Sequence, residues 1–281
     1  MVDQPSTTAP PLDDWGSLFP EGTAGGTPST PLPTGRLILP DESFARTVAS
    51  RSRPALWLGD DAADAELWSR LHAEHPTSGL WPLILETAEH GGLPWETGEL
   101  APETVSDVDR FDAARVMAAI WAEWLEPAGS TDTSHLEPFD STFPGLAPAG
   151  TSPRTAGEVA DWYADLIASE SARLGLVAAP RSADALAVIG WMGPVNHSEH
   201  TAPMAAVVRS WEDRFGARVV RIGFDTLDLS VAAPPTTIEH AEQVAAEHWT
   251  FCPDNIDQGP GTLRDYAEEI LGKNSWSFWW D

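Results

Sequence analysis

The chain has 281 residues, 42% of them hydrophobic and 14 of them tryptophan, enough for one large domain or two small ones around a real core. Its 43 acidic residues outnumber 16 basic ones, and the formal charge of −27 is carried by both halves, which excludes nucleic-acid phosphates and anionic membranes as natural partners. No apolar run nears the roughly 18 residues of a membrane helix, and a lone cysteine, Cys252, can form no internal disulfide, which suits a reducing cytoplasm.

Residues 1–34 hold seven Pro and four Gly and no Lys or Arg, so neither a secretory signal nor a packed core is expected there. They are taken as a disordered arm, with Trp15-Gly-Ser-Leu-Phe as a less favoured docking element. Structure begins at Arg36-Leu-Ile-Leu-Pro, a strand, after which Asp41 is expected to cap a helix carrying Phe44 and Val48. Pro54-Ala-Leu-Trp-Leu-Gly is a second strand and residues 61–75 a helix. Leu80-Trp-Pro-Leu-Ile-Leu-Glu is a third strand, placed at an edge or bulge by Pro82. The turn-rich His90-Gly-Gly-Leu-Pro-Trp leads to a long helix over about 107–125, with Phe111, Met117, Ile120, Trp121 and Trp124 on its apolar face.

Residues 127–153, rich in Pro, Gly, Ser and Thr, make a linker that lies in a groove through Phe139, Phe143 and Leu146. Thr155-x-x-Glu158 is a capping box for a helix carrying Val159, Trp162, Tyr163, Leu166 and Ile167. Leu174-Gly-Leu-Val-Ala-Ala-Pro and Ala185-Leu-Ala-Val-Ile-Gly-Trp are expected as strands. Then comes the clearest unit, residues 201–232. Met204, Val207, Val208, Trp211 and Phe215 form one helical stripe, Gly216 stops the helix, and two β-branched runs follow. Thr236-x-x-Glu239 is a second capping box, residues 262–271 a last helix, and Trp276-Ser-Phe-Trp-Trp-Asp281 a closing strand.

The parts add up to an α+β fold: a mixed, largely antiparallel sheet with helices packed on it and a disordered N-terminal arm. The expected division is 1–34 arm, 35–126 N-terminal α/β subdomain, 127–153 linker and 154–281 C-terminal α+β domain.

From Leu174 to Asp281 the chain resembles a bacterial family, common in actinobacteria, known as domain-of-unknown-function family 4253. The residues that carry this are the run into Gly190-Trp191, Asn196, Ser210-Trp-Glu-Asp-Arg-Phe-Gly-Ala, Ala246-Glu-His-Trp-Thr-Phe-Cys-Pro-Asp-Asn255 and the closing Trp-rich strand. Pro54-Ala-Leu-Trp-Leu and Gly79-Leu-Trp-Pro-Leu resemble the family's earlier part more loosely. The resemblance implies kinship and brings no activity with it.

Motifs for chemistry are sparse. His197-x-x-His200 has ligand spacing, with His248, Cys252 and Asp254 as further candidates, but no H-E-x-x-H is present. Cys252 and His248 stand four apart, a spacing that pairs a thiol with a base, though a buried inert thiol is the plainer outcome. There is no G-x-S-x-G elbow, no P-loop lysine (Lys273 is the only lysine) and no dinucleotide fingerprint after Gly190, so no cofactor is expected. Adjacent acids such as Asp60-Asp61 and Glu212-Asp213 do not face each other.

Two features remain. Arg209, Arg214, Arg218 and Arg221 place a quarter of the basic residues within thirteen positions, suited to internal forked ion pairs or to an anionic ligand. The polar segment Asp254-Asn255-Ile256-Asp257-Gln258-Gly259 would form a site where it meets Asn196 and His197. The candidate binding residues are therefore Asn196, His197, Arg214, Arg218, Arg221, Asp254 and Asn255, with no catalytic residue or metal ligand assigned. The expected role is a cytoplasmic, non-enzymatic acidic interaction module, immunity-like or scaffold, binding a basic protein. The alternatives are a metal-binding or hydrolytic enzyme on His197, His200 and His248, and a subunit of a larger assembly.

Overall fold

The structure, a computed structural model, describes residues 14–20, 23, 25–86, 92–125, 133–169 and 171–281. In chain order the elements are β1 (Gly35–Ile38), α1 (Val48–Ser52), β2 (Leu56–Ala62), α2 (Ala65–Ser78), β3 (Leu80–Glu86), α3 (Pro94–Thr97), α4 (Val105–Val108) and α5 (Ala113–Leu125). After the linker come α6 (Ala156–Ile167), β4 (Ala172–Ala178), α7 (Asp184–Ile189), α8 (Thr201–Phe215), β5 (Ala217–Ile222) and β6 (Thr226–Val231). The chain closes with α9 (Ile238–Phe251), α10 (Asp254–Asp257), α11 (Leu263–Ile270) and β7 (Ser275–Trp279).

Among the described residues the strands form one sheet in the order β1-β2-β4-β3-β5-β6-β7. Every neighbouring pair is antiparallel except β3 and β5. This is the expected α+β architecture. Strand β4 inserts between β2 and β3, so the two expected subdomains share one sheet and one hydrophobic core. All of β3 except Glu86 is buried, the signature of a strand covered on both faces.

The 201–232 unit forms as its pattern requires. Thr201–Phe215 is α8, Gly216 takes the left-handed conformation at φ 59°, and β5 and β6 follow as an antiparallel pair. Trp211 on α8 is fully buried and packs against His248 and Phe251 of α9 and Trp276 and Phe278 of β7, with ring centroids 4.8–5.6 Å apart. Burial of such a side chain contributes on the order of 1.5–3 kcal/mol, so this cluster ties α8, α9 and β7 together.

Several expectations are corrected. Residues 185–189 are helical in α7 and not a strand. All five are buried, so a continuous apolar run carried no period to separate helix from strand. Gly190 ends α7 at φ 71°, where a Cβ would lie 2.0 Å from the Ala101 carbonyl carbon. Asp41 caps a turn by accepting Ser43 N–H at 2.9 Å, whereas the helix starts later, at the Thr47 capping box, with Val48 83% exposed. The long helix over 107–125 divides into α4 and α5. The second capping residue is Thr237 and not Thr236.

Pro82 stands in a central strand. Extending the β3–β5 register would set it opposite Val219, whose carbonyl instead accepts the Trp81 indole N–H at 2.9 Å.

Of the expected arm, residues 1–13, 21, 22 and 24 lie outside the described residues. The described remainder packs on the fold: Leu18 is 1% exposed, Trp15 lies 5.8 Å from Trp57, and Ser29 and Thr30 donate to Glu74. Four apolar side chains, Trp15, Leu18, Phe19 and Leu32, supply the anchoring surface that composition alone undervalued. Of the expected linker, residues 127–132 lie outside the described residues; beyond them Leu136 is buried, Phe139 and Phe143 pack against the core, and Leu146 is 37% exposed.

Candidate functional site

The arginine cluster resolves into separate ion pairs. Arg214 on α8 reaches Glu247 on α9 through Nη1 and Nη2 at 2.7 and 2.6 Å. The Glu247 carboxylate is fully buried and also accepts the Ala147 backbone N–H at 2.6 Å and the Trp211 indole N–H at 2.7 Å. Four donors on one carboxylate join the linker, α8 and α9, and satisfy a charge that burial would otherwise make costly. Arg221 meets the buried Asp228 at 2.5 Å across the β5–β6 pair, where Tyr163 also donates to Asp228 at 3.3 Å. Arg209 binds the buried Asp184 and, at 2.7 Å, Asp109. Arg218 differs: its Nη1 donates to the Ala217 carbonyl, and it lines a pocket with His72, His75, Trp81, Arg181 and Glu212. Burial is the main cause that lowers the His75 pKa there.

A second group gathers at the C-terminal end of the fold. The His197 ring lies 3.1 Å (Nε2) from Asp254, which also accepts the Asp281 backbone N–H at 3.1 Å and the Gln258 amide at 2.9 Å. Asn196 donates to the Asp281 carbonyl at 3.1 Å. Asn255 accepts the Trp279 N–H at 3.0 Å and donates to the Ser277 carbonyl at 2.6 Å. The Cys252 thiol donates to the Trp279 carbonyl at 2.9 Å. Among the described residues β7 is a sheet edge, so Asn255 and Cys252 take up backbone groups that no strand there pairs. The structure thus brings Asn196, His197, Asp254 and Asn255 together, and leaves Arg214, Arg218 and Arg221 elsewhere.

The remaining candidates for chemistry are embedded or separate. His248 is fully buried, with Nδ1 3.1 Å from the Tyr266 hydroxyl, and burial lowers its pKa to about 3. Burial also pushes the Cys252 thiol up to about 12, the opposite of an activated nucleophile. His200 sits at the start of α8 beside Glu103, whose carboxylate accepts the N–H groups of Thr201 and Ala202 at 2.9 and 2.6 Å. Among the described residues no three His, Cys, Asp or Glu side chains converge on a metal geometry. The pairing of His197 with Asp254 could orient a ring for proton transfer, but no hydroxyl or thiol among the described residues is hydrogen-bonded to His197.

Residues 173–281 match the model of the family described as Domain of unknown function (DUF4253). The match bears out the resemblance over 174–281. No curated protein and no solved structure matches the chain. The DUF4253 part begins within β4 and contains all of β5, β6 and β7. It also contains Glu247, His248, Trp249, Cys252, Asp254 and Asn255, whose polar groups hold α9, α10 and β7 in place. Trp249 joins that set by donating to Asp257 at 3.0 Å.

Sequence reasoning passed over Glu247 and Glu103, because an isolated glutamate in a helix or loop gives no sign of its burial. It also passed over Phe224, 56% exposed at the β5–β6 turn. An aromatic residue in Gly223-Phe224-Asp225, between two β-branched runs, was the available signal.

Proposed function

We propose that the chain is a cytoplasmic, non-enzymatic interaction module, immunity-like or scaffold, whose acidic surface receives a basic protein partner. One observation carries this reading. Arg181, Arg209, Arg214 and Arg221 are each bound to a buried carboxylate, respectively Glu212, Asp184, Glu247 and Asp228. Each such pair cancels internally, so the surplus behind the net −27 stays with carboxylates such as Asp61, Glu123, Glu239, Asp265, Glu268 and Glu269 on the exposed surface. That field favours a basic partner and speeds its encounter.

No helix among the described residues is long and apolar enough to cross a membrane. The test is capture by the full chain across a salt series. Partners should be basic and released as salt rises; a salt-insensitive or acidic partner set defeats the reading. The enzyme alternative has its own test. Stoichiometric zinc in purified protein, lost in His197→Ala, would favour the metal-binding or hydrolytic alternative.

A further inference from the structure

Between the β5–β6 turn, the 192–196 loop and the end of β7 lies a surface pocket of about 390 Å³. Its walls are apolar: Phe44, Pro94, Met192, Val195, Phe224 and Trp280. Phe224 is 56% exposed and Val195 41%, among the largest apolar exposures of the described residues. The polar lining consists of Glu99, Asp225, Asp281 and Asn196, with no Lys, Arg or His. None of these three carboxylates is paired with a basic side chain among the described residues. Trp280 is 2% exposed, and its indole N–H has no acceptor among those residues.

We propose that this pocket docks a cationic side chain, arginine or lysine, projecting from an apolar stretch of the basic partner. The inference rests on the acidic-module reading and assigns it a place. Charge complementarity selects the occupant. Three unpaired carboxylates attract the cationic head, and the methylene stem of a long basic side chain covers the apolar wall. Aromatic faces attract a cation more than a neutral group. An acidic segment meets like charge at the rim, and a wholly apolar one buries carboxylates without compensation.

The test titrates the ¹⁵N-labelled full chain with acetyl-Arg-Leu-Arg-amide and, as control, acetyl-Gln-Leu-Gln-amide. Tryptophan indole resonances are followed, with Trp280 identified by its loss in Trp280→Phe. The arginine peptide should shift Trp280 saturably and the glutamine peptide should not. Affinity should fall roughly tenfold or more in Phe224→Ala and in Glu99→Gln/Asp225→Asn. An unmoved Trp280 resonance, or unchanged affinity in both variants, overturns the proposal. If those variants still capture basic proteins in a salt-sensitive way, the pocket is wrong and the acidic-surface reading stands. If the native chain captures none, the reading itself falls and takes the pocket with it.

Discussion

Arg214 and Glu247 meet as a two-point ion pair, at 2.7 and 2.6 Å, with the carboxylate wholly buried and the guanidinium side chain 15% exposed. Arg214 also donates to the Ala147 carbonyl at 2.8 Å, so the linker, α8 and α9 depend on one pair. Truncating one member leaves a buried charge uncompensated. Arg214→Ala should therefore destabilise the chain by about 3–5 kcal/mol in urea unfolding. Arg214→Lys should recover only part, since an ammonium cannot make the forked contact. Arg214→Met/Glu247→Leu should lose less than the two single changes added together.

Stability should fall with acid through His248. Its folded pKa is lowered to about 3 from 6.5, because burial disfavours the charged ring. Between those values the unfolded chain binds a proton that the folded chain refuses. The contribution is complete above pH 6.5 and is lost as pH falls through this window, by up to about 1.4 kcal/mol per pH unit. His248→Phe should flatten that slope in unfolding measurements at pH 7 and 5. Equal slopes in the two proteins would refute the assignment.

Cys252 should resist thiol reagents in the folded protein. Its thiol is buried, donates to the Trp279 carbonyl, and is pushed up to about 12 from 9.0 by burial. Reaction with a disulfide reagent at pH 8 should wait for unfolding by denaturant. Fast labelling of native protein would contradict the geometry.

Much of the architecture was legible because period and punctuation agreed: the stripe from Met204 to Phe215, Gly216 as the stop, and the Thr155–Glu158 box all formed as patterned. The 185–189 run failed because full burial erases periodicity. Of the site, proximity of Asn196 and His197 to residues 254–255 was legible from the polar loop. Arg214 and Arg209 answer carboxylates brought from far along the chain, Glu247 and Asp109, while Arg221 meets Asp228 across a hairpin and Arg218 donates to the Ala217 carbonyl. Sequence spacing holds no record of such partners.

Asn255 acts as a substitute strand for β7, accepting from Trp279 N–H and donating to Ser277 carbonyl. Asn255→Ala should lose about 1–3 kcal/mol by stranding both groups. Asn255→Asp should lose more, because a carboxylate cannot donate to Ser277 and lies beside Asp254. Hydrogen exchange at Trp279 should rise in both variants.

The central claim is that surplus carboxylate on the exposed surface selects a basic partner. Its most direct measurement is the set of proteins held by the immobilised full chain at about 0.05 M and about 0.5 M salt, where screening lengths differ several-fold. The account predicts a bound set dominated by basic proteins at low salt and largely released at high salt. A bound set of neutral or acidic proteins, or one that high salt does not release, would contradict it.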